Sequence, residues 1–415
     1  MTAGSPAPIV EAFRRGAWRT SLDTAPLPGR GESRFGLALV PEIVAASDRR
    51  WWDATGRHTP FAATTLAPGS RRELLLFALD LFEHGTVTVG GLGTQSAGAF
   101  HQALEEVGGV PRPLATRWTG MLRESLRSRE VPRPDGALAL VALPGNTFTC
   151  LESVLAQAER STGVWVRPSR REPLAAARLI GAMLAAGWPP ELIGFYPGEQ
   201  RVLHGLIRLT DRQIVYGGAG LARSVRALDS LTLHGPGRGC ALVPADLPVA
   251  EAVEWLLPLI AADSGRFCSN VRTVVCVDAP DGARQDPEPL ATALAAALDA
   301  IHHPHTDVRD AWPFVAFREP GAVEMIQGVV RDRLRPGDRI LTRRPPALVG
   351  GTYDVYARPQ LALLDGHFTH PDAHPLIGHE VPFPFAAVLG AAPDAVKAIT
   401  ADSLFVYHPA KRGPA

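Results

Sequence analysis

Ala137-Leu138-Ala139-Leu140-Val141-Ala142-Leu143-Pro144-Gly145-Asn146 sets an unbroken apolar run against a Pro-Gly turn. A run of that length stopped by turn formers is the pattern of a strand buried on both faces. The linker Pro132-Arg133-Pro134-Asp135-Gly136 isolates it from the region upstream. Downstream, strands and helices alternate: helical spacing over 150–160, a strand over 163–166, a helix over 173–186, a strand over 192–196, a helix from Glu199 and a strand over 212–216. That alternation predicts an α/β fold on a parallel, doubly wound sheet. A second region of the same kind follows, with short strands at 232–233 and 241–243, a helix over 249–262, a strand after Cys268 and a helix over 287–301. The last hundred residues are rich in strand formers and proline. Before the linker, helical spacing covers 71–83 and 97–107 and a short alternating strand covers 86–89, whereas residues 1–70 carry little periodic signal.

The chain has 415 residues, of which 46% are hydrophobic and 20% charged, enough for a large core divided between two lobes. Forty-two basic residues balance 42 acidic ones, which argues against an extended nucleic-acid or anionic-membrane surface. Cys150, Cys240, Cys268 and Cys276 form no CxxC pair, as expected of a reducing compartment. The first residues lack a secretory-signal pattern, and no apolar run approaches the roughly 20 residues of a membrane span. These features place the expected location in the cytoplasm.

Gly265-Arg266-Phe267-Cys268-Ser269-Asn270 holds one cysteine between a glycine turn and the β-branched run 271–275. The thiolate is the nucleophilic form, and a local field must favour it; Arg266 is a candidate source. Cysteine is equally at home as a small buried hydrophobe, so the other motifs decide. Three precede it in order: Pro144-Gly145-Asn146, Trp165-Val166-Arg167-Pro168-Ser169, and Tyr216-Gly217-Gly218-Ala219-Gly220.

Together these motifs resemble the aldehyde dehydrogenase superfamily. The PGN turn and the Gly217-Gly218 pair are more similar to the fatty acyl-CoA reductases of bacterial luminescence systems than to aldehyde oxidisers. The resemblance covers about residues 137–280, with an echo at Glu380-Val381-Pro382-Phe383-Pro384. It implies a Rossmann-type parallel-sheet cofactor domain over 1–230 and an α/β catalytic domain carrying Cys268 over 231–380. A C-terminal segment, 381–415, is expected to return to the cofactor domain or its edge.

By this resemblance Cys268 is the nucleophile and Asn146 donates to the oxyanion, alongside the Cys268 N–H; Asn146 also fits as an ordinary turn residue. Arg167, Ser169 and Arg170 fall in the cofactor segment. Arginine in place of a ribose-binding acid favours NADP(H), with NAD(H) as the alternative, although three arginines in a polar turn also read as a solvated loop. Gly217 and Gly218 are expected near the pyrophosphate. Glu380 is implied as a ribose ligand, despite Pro382 and Phe383 replacing the usual Phe-Gly.

His234 stands where the superfamily carries the glutamate that activates hydrolytic water. Losing that base spares the thioester. An imidazole can itself move protons near neutral pH, or serve only as a turn residue. Two histidine groups, His302, His303 and His305, and His367, His370, His374 and His379, lie in proline-interrupted loops without a metal-ligand pattern, so no metal is expected. The resulting expectation is NADPH-dependent reduction of an acyl thioester, from acyl-CoA or acyl carrier protein, to an aldehyde through S-acyl-Cys268. Aldehyde oxidation with His234 as base, non-redox acyl transfer and a non-catalytic scaffold are the alternatives. The sequence stops 35 residues after Glu380, without the segment and tail that many superfamily members use in oligomerisation, so an assembly different from theirs is expected, a homodimer being one option.

Overall fold

The computed structural model describes residues 7–31, 34–58, 68–224, 229–302, 314–319, 321–351 and 353–409. The chain forms two compact units, Met1–Gly235 and Pro236–Ala415. The boundary falls five residues beyond the expected 230/231.

The first unit is built on a seven-stranded sheet in the order Leu231–His234, Arg212–Tyr216, Leu138–Ala142, Gly163–Arg167, Ile193–Phe195, Ala12–Arg14, Ala17–Arg19. The first five strands are parallel, and the last two form an antiparallel hairpin on the edge. Leu138–Ala142 and Gly163–Arg167 are buried at every position, which is why they read as continuous apolar runs rather than alternating ones. Helices Leu151–Arg160, Leu174–Ala185 and Gln200–Arg208 make the crossovers at the expected places. Strand order reverses at Leu138–Ala142: the chain winds outward through Gly163–Arg167 and Ile193–Phe195, then returns to pair Arg212–Tyr216 on the other side. The chain leaves the carboxyl ends of these two central strands in opposite directions, and this switch point is the usual ligand position in open α/β sheets.

Two features escaped the sequence reading. The N-terminal region contributes the edge hairpin, with Phe13 opposite Phe195 and Trp18 packed edge-on against Phe13. Such two- and three-residue strands are too short to show a period. Helix Arg112–Ser128 buries Leu114, Ala115, Trp118, Leu122 and Leu126 on one stripe. Its polar remainder masks the 3.6-residue pattern.

The second unit has a six-stranded sheet, Arg339–Ile340, Gln360–His367, Phe385–Ala391, Val271–Val277, Gly239–Pro244, Val406–Tyr407, parallel except for its first strand. Phe385–Ala391 is buried throughout, between Val271–Val277 and Gln360–His367. Of the segment expected to return to the cofactor domain, Phe385–Ala391 and Val406–Tyr407 pair in the second sheet, because an apolar seven-residue strand needs cover on both faces and the centre of that sheet supplies it. Among the described residues no helix is long and apolar enough to cross a membrane.

Candidate active site

Cys268 lies between the end of helix Val249–Ala261 and the start of strand Val271–Val277. The connecting backbone is unusual. Asp263, Ser264 and Gly265 all have positive φ, at 56°, 60° and 61°. Left-handed backbone costs a non-glycine residue about 1–2 kcal/mol, so neighbouring contacts must hold it. Ser264 Oγ accepts the Val315 N–H at 3.1 Å and so supports the loop. Glycine is required at 265, because a Cβ there would strike the backbone of Phe383 and Pro384.

Two residues not singled out from the sequence complete the scaffold. Asn270 donates from its amide to the carbonyls of Leu259 and Ala262, at 3.1 and 3.2 Å, and accepts the Phe267 N–H at 2.8 Å. Arg272, 2% exposed, donates to the Phe383 carbonyl at 2.9 Å and to the Gly265 carbonyl. The available signal for Arg272 was a single charge inside an otherwise apolar strand. Tyr407 adds a hydrogen bond from its hydroxyl to the Ser269 carbonyl at 2.8 Å. Held this way, Cys268 is the exposed cysteine of the four, none of which is in a disulfide; Cys240 and Cys276 are buried and their thiols are pushed up to about 12.

The charges around the thiol oppose one another. Burial and the Glu380 carboxylate raise the Cys268 pKa, while the Cys268 and Ser269 N–H groups and the Arg272 guanidinium pull it down; the net direction is up. Cys268 therefore rests as a thiol and must surrender a proton to react. The acting cation is Arg272. Arg266, the one expected from the sequence, instead lies with its guanidinium over Phe317, 5.0 Å from the ring centre. Burial lowers Arg272 to about 10.

Glu380 is tethered: Oε1 accepts the Gly237 N–H at 2.5 Å and the Arg238 N–H at 3.2 Å. Gly237 in turn lies against Cys268, where a Cβ would meet the cysteine carbonyl. Burial raises the Glu380 pKa against the pull of Arg272 and these two donors. His379 has an unpartnered Nε2 among the described residues, and burial, Arg333 and Arg272 lower it to about 4.

In the first unit, Asn146 is half-buried in the bend after Leu138–Ala142. Gly217 and Gly218 follow Arg212–Tyr216, so Asn146 and the glycine pair occupy the loops on the two sides of the switch point. At Gly218 a Cβ would meet nothing within 4 Å, whereas at Gly217 it would collide with the Leu221 side chain. The next strand ends in Arg167, whose guanidinium donates to Gly198 O at 3.1 Å while its Nε has no partner among the described residues. Burial and Arg170 lower Arg167 to about 10. Ser169 lies beside Gly145, which places the PGN and RPS turns next to each other, and Arg170 is exposed.

His234 ends strand Leu231–His234 and stacks on Tyr216, ring centres 4.6 Å apart and planes 14° from parallel. The Tyr216 hydroxyl is anchored on Ser153 Oγ at 2.7 Å. Partial burial lowers the imidazole pKa despite Glu152, leaving His234 neutral and able to accept a proton at pH 7. In the sequence Tyr216 only opens a glycine motif, and nothing local marks it as the partner of His234.

Of the other histidines, His374 is buried on Asp338 at 2.8 Å and His367 binds Asp278 at 2.8 Å, while His370 is exposed beside Asp372. His303 and His305 lie outside the described residues. Among the described residues no three His, Cys, Asp or Glu side chains gather in a metal-holding group.

No family model and no curated protein sequence matches the chain. Solved structures do match. The NAD-dependent benzaldehyde dehydrogenase of Corynebacterium glutamicum superposes with a TM-score of 0.74 at 14% identity, over 99% of this chain and 91% of the other. Lactaldehyde dehydrogenase of Escherichia coli gives 0.70 at 16%, over 98% and 92%. A variant of aldehyde dehydrogenase C from Pseudomonas syringae, solved with NAD+ and octanal, gives 0.71 at 15%, over 96% and 83%. The chain has the aldehyde dehydrogenase fold.

Proposed function

We propose that this protein is a cytoplasmic, NADPH-dependent reductase that converts an acyl thioester, presented on coenzyme A or an acyl carrier protein, to an aldehyde through S-acyl-Cys268. The observation that carries this reading is that, among the described residues, the carboxylate that acts on Cys268 is held by backbone donors rather than left free as a base for hydrolytic water. His234 stands at the position where an aldehyde-oxidising relative would carry glutamate, and Glu380, the carboxylate that acts on Cys268, is tied to two backbone N–H groups. An acyl-cysteine that resists water survives long enough to be reduced.

In this reading Cys268 attacks the thioester carbonyl and the carrier thiol leaves. The Asn146 amide and the Cys268 N–H hold the oxyanion of each tetrahedral species. His234, stacked on Tyr216, takes the thiol proton and passes it to the departing carrier thiolate, and a second proton, from solvent, reaches the Cys268 sulfur as the aldehyde forms. The switch point between the two central strands, the glycines at 217 and 218 and the unpartnered Arg167 Nε suit a dinucleotide, and exposed Arg170, without an ion-pair partner among the described residues, suits a 2′-phosphate. When bound, NADPH supplies the hydride that, with one proton, turns the acyl-cysteine into aldehyde and free thiol. Two copies of the chain form the working assembly in this reading.

The test is intact-protein mass after exposure to a panel of acyl thioesters, with and without NADPH, using Cys268→Ala as control. An adduct on Cys268 that NADPH discharges as aldehyde supports the reductase. One indifferent to NADPH identifies acyl transfer, and no adduct with any thioester directs attention to aldehyde oxidation.

A further inference from the structure

Away from these residues, the edge hairpin of the first sheet and helix Glu42–Ala54 enclose a cleft of about 460 Å³ lined by Arg14, Arg15, Arg19, Arg50, Ser47 and Asp48, with two aliphatic side chains. The lining thus holds four arginines and one carboxylate. Asp48, 1% exposed, is already occupied: Arg15 Nε donates to it at 2.6 Å, Arg14 at 3.1 Å and the Tyr196 hydroxyl at 3.3 Å. The buried carboxylate fixes two guanidinium forks rather than neutralising the cleft. Arg15 also donates to Ser47 Oγ at 2.7 Å. Among the described residues neither Arg19 nor Arg50 has an acidic partner, and both are exposed.

Backbone geometry singles out Arg15. With Gly16 it turns the hairpin between Ala12–Arg14 and Ala17–Arg19, and both turn residues have positive φ, 50° and 76°. Asparagine or glycine suits such a turn, and a long side chain there carries a backbone cost. In this chain the residue at that site is an arginine whose guanidinium is held in the cleft by Asp48 and Ser47.

We propose that this cleft binds the phosphate group of a small organic anion, gripped by Arg15 and Arg14 on their fixed forks and closed by Arg19 and Arg50. Guanidinium pairs match phosphate oxygens two at a time, and converging uncompensated cations are otherwise mutually repulsive. The volume falls in the range of small-molecule pockets, roughly 300–1,000 Å³, and exceeds what a bare phosphate fills, leaving room for an organic portion. The alternative, arginines that only guard the exposed edge strand, explains neither the buried carboxylate nor the inward turn of Arg14 and Arg15.

Calorimetric titration with inorganic pyrophosphate at fixed ionic strength tests this, comparing the wild-type chain with Arg19→Gln/Arg50→Gln. Both side chains are exposed and outside the proposed thioester chemistry, so melting temperature and acyl labelling of Cys268 stay unchanged. The expected result is a saturable equivalent of pyrophosphate, titrated with NADP+ already present so that the proposed dinucleotide site is filled, that the double variant binds at least about tenfold more weakly. Equal binding by the two proteins, or no saturable binding by the wild type, overturns the proposal and leaves the arginines as guards of the edge strand.

Discussion

The guanidinium of Arg272 closes the loop that presents Cys268, donating to the Gly265 carbonyl just before the cysteine and to the Phe383 carbonyl at 2.9 Å. One buried cation therefore both fixes the strained 263–265 backbone and favours the thiolate. Replacing Arg272 by glutamine is expected to cost about 2–4 kcal/mol of stability, since buried carbonyls lose a charged donor. The pH midpoint of Cys268 alkylation should also move up, because the opposing positive charge is gone. Denaturant unfolding and iodoacetamide rates against pH check the two effects separately.

Glu380→Gln should move the same midpoint the other way. The carboxylate raises the Cys268 pKa, so removing its charge lowers it, while the amide oxygen can still accept from Gly237 and Arg238. An unchanged or higher alkylation midpoint would contradict this electrostatic arrangement.

Cysteine reactivity should separate by environment. Under native conditions a limiting dose of alkylating agent is expected to label Cys268 first, leaving Cys240 and Cys276 untouched until the chain unfolds. Peptide mapping of the singly labelled protein reads this directly.

Stability should depend on Glu172, which accepts the Ala175 N–H at 2.9 Å at the start of helix Leu174–Ala185. Burial lifts this carboxyl from 4.5 to about 7. The sign follows from proton binding: between those values the native state holds a proton that the unfolded chain releases, so this contribution falls as pH rises from about 4.5 to about 7. Glu172→Gln should flatten that part of the melting-temperature profile. An identical pH dependence in the two proteins would show that Glu172 titrates normally.

The positions of strands Leu138–Ala142, Gly163–Arg167 and Arg212–Tyr216, with the helices between them, were legible in the sequence, as was the motif order that puts Cys268 ahead of Val271–Val277. Periodicity and turn formers are local signals, and burial on both faces of a parallel sheet writes them clearly. Pairing between distant segments leaves no such trace. Phe385–Ala391 reads as an apolar strand wherever it goes, and only the gap between Val271–Val277 and Gln360–His367 makes it central to the second sheet. The two-residue strand Val406–Tyr407 carries no period, yet it completes that sheet and brings the Tyr407 hydroxyl to the cysteine loop. Arg272 is the sharpest case. By sequence it is a charge misplaced in an apolar strand, and its partners Gly265 and Phe383 stand 7 and 111 residues away. Sequence determined the elements and the chemical types at the candidate site; tertiary structure decided which charges act on the thiol, because electrostatic and hydrogen-bond energies depend on distance in space, not on separation along the chain.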